Sequence, residues 1–305
     1  MSNPTDQFMT AIAAAGLTPP DTIHDDGLLH RFSASGRRGD DSGWYVLHLD
    51  GVAAGSFGCW RTGLTSSWSS KPTTEMTVAE REAHHARIQA MKRQRDAEQG
   101  QRHEAAACEA VKRFESASPC TGHAYLSIKG VNAYGVRVDA NGALLIPMRD
   151  TAGKLHSLQT IQPDGDKRFL SGGRVKGCYH AIGRPKGGRL IVCEGYATGA
   201  SIHEATGDAV AVSFNAGNLE SVATALHRKY PDLVLIVGAD DDHRTEGNPG
   251  MTKARAAALA VGGFVVAPQF PSGRPDKATD FNDLHQLAGL VAVRTCFNEI
   301  VGFVC

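Results

Sequence analysis

The seven cysteines of this 305-residue chain include no C-x-x-C pair, the spacing typical of zinc ribbons and iron–sulfur sites. Their odd number also argues against the disulfide framework of a secreted protein. No basic segment followed by a long apolar core opens the chain, so we expect no signal peptide. No apolar run approaches the ~20 residues of a membrane-spanning helix. The sequence therefore predicts a soluble protein of the reducing cytoplasm, without a membrane partner.

The chain also lacks net charge, because 32 lysine and arginine residues balance 32 aspartate and glutamate residues. A protein that coats nucleic acid nonspecifically carries a large excess of positive charge. Any nucleic-acid interface must therefore be a local basic patch. Hydrophobic residues make up 42% of the chain, which is enough to form a folded core.

Composition changes sharply within the first 118 residues. Residues 1–71 are predicted to form a small β-rich module, in which WYVLHLD followed by Asp-Gly indicates an antiparallel hairpin. Residues 72–118 are dense in alanine, glutamate, lysine, arginine and glutamine, which favour helix and supply few core positions. We interpret them as a charged helical linker that begins with a capping box of Thr77 and Glu80.

The remaining chain divides into two further segments. Residues 119–188 contain short apolar runs separated by turn sequences, and they predict a basic β-rich subdomain. Residues 189–305 alternate apolar strands with helical segments, beginning with RLIVC, AVAVS, LVLIVG and FVVAPQF as the strands. Such alternation is typical of a parallel sheet covered by helices on both faces, and therefore of an α/β fold.

Carboxylates follow the strands of this predicted sheet. Glu194 comes directly after RLIVC, Asp240 and Asp242 come after LVLIVG, and Asp280 and Asp283 follow the fourth strand. Ligands of open parallel sheets bind outside the carboxyl ends of the strands, where these residues should meet. Several carboxylates at one edge repel one another unless a cation neutralises them. Oxygen ligands suit Mg²⁺ or Mn²⁺, and such ions support phosphoryl transfer.

The segments VCEGYATG and GADDDH resemble the two motifs of the Toprim domain, which bacterial-type primases, topoisomerases and some nucleases share. The resemblance spans about residues 187–290. It places Glu194 at the family's glutamate position and makes Asp240 and Asp242 the Asp-x-Asp pair. These three residues are thereby the expected catalytic residues, with Glu194 either a metal ligand or a general base.

Flanking segments are similar to the Toprim primases of plasmids, phages and conjugative elements. The similarity lies in GHAYLSIKGV, ALLIPMRDTAGKLHSLQTIQPDGDKRFLSGGRVKGCYHAIG, SFNAGNL and TDFNDL. It implies a Rossmann-like Toprim fold preceded by the basic subdomain and the small N-terminal module. It also implies a DNA primase that makes short RNA primers on single-stranded DNA from ribonucleoside triphosphates, with Mg²⁺ or Mn²⁺. A replicative helicase is a candidate partner for the helical region from Glu75 to Ala117, although a solvated spacer is the simpler interpretation of that region. Asp280 and Asp283 would complete the metal ligands.

Basic residues crowd the segment before the predicted parallel sheet. Each cation can neutralise one phosphate of a nucleic acid or nucleotide. For a single residue, ordinary solvated charge is the simpler explanation, but we interpret the group as a nucleic-acid groove. The candidates for this interface are Lys129, Arg137, Lys154, Lys167, Arg168, Lys176 and, after the strand AVAVS, Asn215.

Two other functions fit the same residues. A Toprim nuclease would direct water in place of a 3′-hydroxyl, and an accessory protein would bind single-stranded DNA without using a metal. The N-terminal module departs from cellular primases, because His24, His30, His48 and Cys59 match no standard zinc spacing. We therefore favour core or surface roles for these four residues.

Overall fold

A computed structural model describes residues 3–298 of the chain. These residues divide into two compact units between Gln101 and Arg102. The four segments predicted from composition stay predictions. Within residues 3–298, no helix combines the length and the apolar character needed to cross a membrane.

The first unit is a four-stranded antiparallel sheet with one short helix packed against it. Its elements are α1 (Pro4–Ala14), β1 (His30–Phe32), β2 (Gly43–His48), β3 (Ala54–Cys59) and β4 (Leu64–Ser69), and the strands lie in the order β1-β2-β3-β4. The predicted hairpin is confirmed, since β2 pairs antiparallel with β3. Phe8 and Ile12 of α1 are fully buried against Tyr45, Leu47 and Phe57 of the sheet.

The boundary between the two units falls inside a single helix of 39 residues, α2 (Val78–Ser116). The predicted capping box is confirmed at its start. The backbone N–H of Thr77 donates to Glu80 Oε2 at 2.7 Å, and the N–H of Glu80 donates to Thr77 Oγ1 at 3.3 Å. These bonds satisfy donors that would otherwise lack partners in the first turn.

The second unit begins with a five-stranded antiparallel sheet. Its elements are β5 (Ser118–Pro119), α3 (Ala124–Lys129), β6 (Arg137–Val138), β7 (Leu144–Arg149), β8 (Leu155–Ile161) and β9 (Lys167–Phe169). The strands lie in sequence order, so each pairs with its neighbour along the chain. Strand β7 is buried on both faces, because Leu144 and Ile146 pack into one hydrophobic cluster and Leu145 into another.

A second five-stranded sheet follows, and it contains the predicted parallel strands. Its strands are β10 (His180–Ile182), β11 (Arg189–Cys193), β12 (Val210–Val212), β13 (Val234–Gly238) and β14 (Phe264–Val266). They lie in the order β10-β12-β11-β13-β14, and β11 to β14 are parallel. Strand β10 pairs antiparallel with β12 at the edge, an addition that sequence analysis did not anticipate.

Helices cover both faces of this sheet, as predicted. They are α4 (Tyr196–Thr206), α5 (Leu219–Lys229), α6 (Pro249–Ala260) and α7 (Phe281–Asn298). Alternate residues of β11 supply the two cores: Ile191 and Cys193 face the cluster shared with α4 and α7, whereas Leu190 and Val192 face the cluster shared with α5 and α6. Since both faces are buried, RLIVC is a continuous apolar run rather than an alternating one.

Candidate active site

The two central strands place the first candidate residues next to each other. Cys193 ends β11 and lies opposite Gly238, the last residue of the parallel strand β13. Glu194 and Asp240 therefore leave the sheet at the same edge, one residue and two residues beyond the paired strand ends. This is the carboxyl edge at which ligands of open parallel sheets bind.

Asp240 lies at the centre of the acidic group. Burial raises its pKa to about 8, and the negative charges of four neighbouring carboxylates act in the same direction. These neighbours are Asp280, Glu194, Asp242 and Asp283. The other four carboxylates that the sequence assigned to a metal site are therefore all within electrostatic reach of Asp240.

Opposing effects act on the pKa of Glu194. Burial, followed by the charge of Asp242, raises its pKa, whereas the backbone N–H of Ala216 and the ammonium of Lys167 act against the rise. Ala216 opens a short 3-10 turn after β12. Phe214, two residues before Ala216, has a backbone φ of 72°, which is uncommon for a residue other than glycine. Its backbone N–H donates to the Glu194 carbonyl at 2.8 Å.

The residues present fit a divalent cation. Asp240 Oδ1 is buried and has no hydrogen-bond partner, and within residues 3–298 none of the five carboxylates forms an ion pair with a basic side chain. In the same range, no three histidine, cysteine, aspartate or glutamate side chains lie in an arrangement that could hold a metal ion by themselves. The carboxylate oxygens present are of the donor type that Mg²⁺ prefers, and Mg²⁺ binds through one or two carboxylates together with water and phosphate.

In the Asp-x-Asp loop, the side chain of the middle residue, Asp241, contacts Arg274 and Asn248. Asp241 forms an ion pair with Arg274 at 2.5 Å and accepts a hydrogen bond from Asn248 Nδ2 at 2.7 Å. Asp242 instead accepts a hydrogen bond from the Gly250 N–H at 2.9 Å, at the start of α6. Asp241 is thus bound to Arg274 and Asn248, whereas Asp240 and Asp242 form no ion pair with a basic side chain of the described residues.

Asp280 and Asp283 form a reciprocal cap at the start of α7. Asp280 Oδ1 accepts from the Asp283 N–H at 2.9 Å, and Asp283 Oδ2 accepts from the Thr279 N–H at 2.8 Å. The remaining oxygen of Asp280 accepts from Thr198 Oγ1 at 3.1 Å. Capping therefore accounts for the position of both residues, although Asp280 also contributes to the repulsion at Asp240.

Two of the predicted basic residues act on the acidic group. Lys167 lies 5.2 Å above the ring of Tyr125 and lowers the pKa of Glu194 against the effect of burial. Lys129 likewise acts to lower the pKa of Asp280 against the effect of burial. Tyr125 was missed by sequence reasoning, since nothing in its sequence context indicates that its ring meets Lys167.

Most other basic candidates already have protein partners. Arg137 donates to the carbonyls of Phe114 at 2.9 Å, Glu115 at 3.2 Å and Ala117 at 3.3 Å, so it closes the end of α2. Lys154 pairs with Glu104 at 2.7 Å, and Arg168 pairs with Asp166 at 2.8 Å. Lys176 and Asn215 lie in loops, the former exposed and the latter half-buried.

The four residues weighed as zinc ligands lie in the first unit with partners of their own. His30 contacts Asp26 at 2.8 Å and stacks on His24, and Cys59 Sγ donates to Ser42 Oγ at 3.5 Å. His48 lies 3.8 Å from Asp50. These contacts agree with the core and surface roles that we favoured.

The family model described as Toprim domain matches residues 189–290. This segment contains the parallel strands β11 to β14 and all five carboxylates of the acidic group.

Over most of its length the chain is similar to DNA primase TraC of Escherichia coli. It is 39% identical to one such protein over 285 residues, which are 88% of this chain and 27% of that protein. It is 38% identical to a second over 286 residues, 88% of this chain and 20% of that protein. The chain thus spans about a quarter of the length of the curated relatives it matches. The resemblance to Toprim-domain primases is confirmed.

Among solved structures, the zinc-binding and RNA polymerase domains of the Aquifex aeolicus primase match with a TM-score of 0.44 and 14% identity. The match covers 98% of this chain and 86% of that one. At this level the likeness is distant.

Proposed function

We propose that this chain synthesises short RNA primers on a single-stranded DNA template from ribonucleoside triphosphates. The observation that carries the proposal is the buried, unpartnered oxygen of Asp240 among four other carboxylates, at the edge of a Toprim domain. The similarity to DNA primase TraC supports it. A cytoplasmic location and a replicative helicase as a partner remain part of the same proposal.

Asp240 and Asp242 would hold the divalent cation, Mg²⁺ or Mn²⁺, with Asp280 and Asp283 beside them. When bound, the cation neutralises phosphate charge and favours in-line attack by an oxygen nucleophile. Glu194 either adds a ligand or accepts the proton of the primer 3′-hydroxyl, and its raised pKa suits it to the second role.

The basic side chains next to this edge would bind the triphosphate and the template. Lys167 and Lys129 are suited to the triphosphate, because their charges already act on Glu194 and Asp280. Lys176, Arg168, Lys154 and Asn215 would contact the template or nucleotide farther along the surface, since the ion pairs of Arg168 and Lys154 are exposed and a phosphate can replace them. Arg137 is left out of this interface, because its guanidinium donates to three backbone carbonyls at the end of α2.

The test is incubation of the protein with end-labelled single-stranded DNA, labelled ribonucleotides and Mg²⁺. Labelled RNA of two or more nucleotides means synthesis, shortened DNA means a nuclease, and no change with metal-independent DNA binding means an accessory protein. We expect Asp240→Ala to abolish synthesis without unfolding the protein. Asp232→Ala, which removes an exposed carboxylate outside the group, is the control, and wild-type dinucleotide formation by Asp240→Ala would refute the metal assignment.

A further inference from the structure

The hydroxyl of Tyr125 is buried without a hydrogen-bond partner. The residue is 4% exposed, and its Oη atom has no hydrogen-bond partner in good geometry. The backbone N–H of Ala197 is close enough to lower the pKa of the hydroxyl, but the hydroxyl hydrogen has no acceptor. About nine in ten buried polar groups in native proteins are bonded to protein or ordered water. An isolated buried hydroxyl next to a candidate active site therefore indicates a partner that arrives from outside the chain.

Helix α3, which carries Tyr125, is fixed against α7. Asn282 Nδ2 donates to the Lys129 carbonyl at 2.7 Å, and Gln286 Nε2 donates to the Ile128 carbonyl at 3.1 Å. At the other end of α3, the side chain of His123 accepts from the Tyr125 N–H at 3.1 Å. Because Asp280 caps α7, these bonds hold Tyr125 in a set position relative to the acidic edge.

The charges around Tyr125 are those of the candidate site. Burial raises the pKa of its hydroxyl to about 12, and the charges of Lys129 and Asp280 both reach it. The hydroxyl therefore stays protonated at neutral pH and can donate a hydrogen bond. A neutral donor next to carboxylates complements the oxygen of a phosphate, which the carboxylates alone would repel.

The ring of Tyr125 also holds a cation. Lys167 Nζ lies 5.2 Å from the ring centroid, within the range of a cation–π interaction. Lys167 extends from the exposed strand β9, where no carboxylate of residues 3–298 pairs with it. Its charge acts on Glu194, so the ring holds an ammonium close to the acidic group, whose Asp280 also acts on the Tyr125 hydroxyl.

We propose that Tyr125 binds the triphosphate of the incoming nucleotide, its hydroxyl donating to a phosphate oxygen and its ring orienting Lys167 towards the same phosphates. This inference rests on the proposed function and adds to it a residue that binds the substrate. It makes Tyr125 and Lys167 one binding element, built from a helix and an edge strand of the antiparallel sheet.

The experiment compares ATP binding by the full chain and three variants, measured by calorimetry with Mg²⁺ and without DNA. Tyr125→Phe removes only the hydroxyl, and Tyr125→Leu also removes the ring. The matched control is Tyr134→Phe, since the Tyr134 hydroxyl already donates to Glu204 Oε1 at 3.2 Å. We expect Tyr125→Phe to weaken ATP binding about three- to tenfold, the effect of one lost hydrogen bond, with a larger loss in Tyr125→Leu and unchanged affinity in Tyr134→Phe.

Thermal melting separates binding from a purely structural role. Removal of a buried hydroxyl that lacks a partner relieves a desolvation penalty, so Tyr125→Phe should melt at the same or a higher temperature while it binds ATP less tightly. A variant that melts lower with wild-type affinity would overturn the proposal, as would wild-type affinity in both Tyr125 variants.

Primer synthesis by the wild-type protein tests the underlying function on its own. If the wild type makes primers but Tyr125→Phe leaves the KM for ATP unchanged, only this inference fails. If the wild type neither binds ATP nor makes primers, the proposed function fails first.

Discussion

The side chain of Asn248 holds the backbone of Asp242, through a hydrogen bond of 2.9 Å from the Asp242 N–H to Asn248 Oδ1. Asn248 is the N-cap of α6, and its φ of 41° lies in the left-handed region. The same Oδ1 accepts from the Met251 N–H at 3.3 Å, while Nδ2 donates to Asp241 at 2.7 Å. One asparagine thus caps a helix and fixes both halves of the Asp-Asp turn.

Two substitutions of Asn248 separate its backbone conformation from its side-chain bonds. Asn248→Gly keeps the left-handed conformation accessible, and glycine at an N-cap costs only a few tenths of a kcal/mol. Both substitutions lose the three side-chain bonds, but Asn248→Ala is also strained in the left-handed conformation, so we expect Asn248→Ala to lower the free energy of unfolding by about 1–2 kcal/mol. Both should reduce primer synthesis roughly tenfold or more, because one tenfold step needs only ~1.4 kcal/mol of lost positioning. Full synthesis by Asn248→Gly would show that Asp242 needs no such support.

Gly250 is predicted to tolerate no side chain. A Cβ built there would lie 2.5 Å from the Asp240 carbonyl oxygen and 2.9 Å from Asp242 Oδ2. Alanine is the better helix former by ~1 kcal/mol, so any loss in Gly250→Ala must come from this collision. We expect Gly250→Ala to lose the rise in melting temperature that Mg²⁺ gives the wild type, together with most primer synthesis. Gly187→Ala, whose Cβ would meet nothing within 4 Å, should keep both.

The acidic edge was predictable because its signal is local in the sequence. RLIVC and LVLIVG are short apolar runs typical of parallel strands buried on both faces, and the residue after such a strand emerges at the carboxyl edge. Glu194 and Asp240 could therefore be placed together from the sequence, and the pairing of β11 with β13 agrees with this placement. The Thr77 capping box was predictable for the same reason, since its partner lies three residues away.

The remaining features depend on partners that are distant in the chain. Strand β10 has only three residues, too few to show a pattern, and it joins the parallel sheet only because β12 leaves an edge free. The sequence shows that Arg137 is charged, but it does not show that Arg137 donates to three backbone carbonyls at the end of α2. The unpartnered hydroxyl of Tyr125 and the φ of Phe214 likewise have no signature in the residue types.

Arg274 is predicted to stabilise the loop through Asp241. Its Nη1 pairs with Asp241 Oδ2 at 2.5 Å, and its Nη2 donates to the Asp241 carbonyl at 2.9 Å. Although burial acts to raise it, the pKa of Asp241 is lowered by hydrogen bonds from Arg274 and Asn248. The stabilisation is therefore present above the ordinary pKa of aspartate and is lost as the pH falls through the lowered value.

A double-mutant cycle at pH 7 measures this pair. Arg274→Met should lower the free energy of unfolding by about 1–3 kcal/mol, because it leaves a partly buried carboxylate without its cation. Arg274→Met should cost less in an Asp241→Asn background, giving a coupling energy of about 0.5–3 kcal/mol. Urea unfolding of the four proteins supplies the values. Additive effects would mean that Arg274 acts through the backbone carbonyls of Asp241 and Ala278 and the ring of Phe270, and not through the Asp241 carboxylate.

The raised pKa of Asp240 predicts how stability depends on pH in the absence of metal. An aspartate titrates near 3.8 in the unfolded chain, whereas burial and four neighbouring carboxylates bring Asp240 to about 8 in the folded protein. Between these values the folded state holds a proton that the unfolded state has lost, so the free energy of unfolding falls as the pH rises. The stability that the Asp240 proton contributes to the folded state is fully present below about pH 4 and is lost once the pH passes about 8.

Asp240→Asn removes this titration and should therefore make the metal-free protein more stable at pH 8 by about 1–3 kcal/mol, with no difference near pH 4. Mg²⁺ should stabilise the wild type more strongly as the pH rises, because binding needs the deprotonated carboxylate, and it should have little effect on Asp240→Asn. Thermal melts from pH 4 to pH 9, with chelator or with Mg²⁺, measure both effects. Asp232→Asn is the control, since its carboxylate is exposed and outside the group. If Asp240→Asn were less stable than the wild type at pH 8 without metal, the carboxylates could not be repelling one another, and the reason for placing a cation among them would be gone.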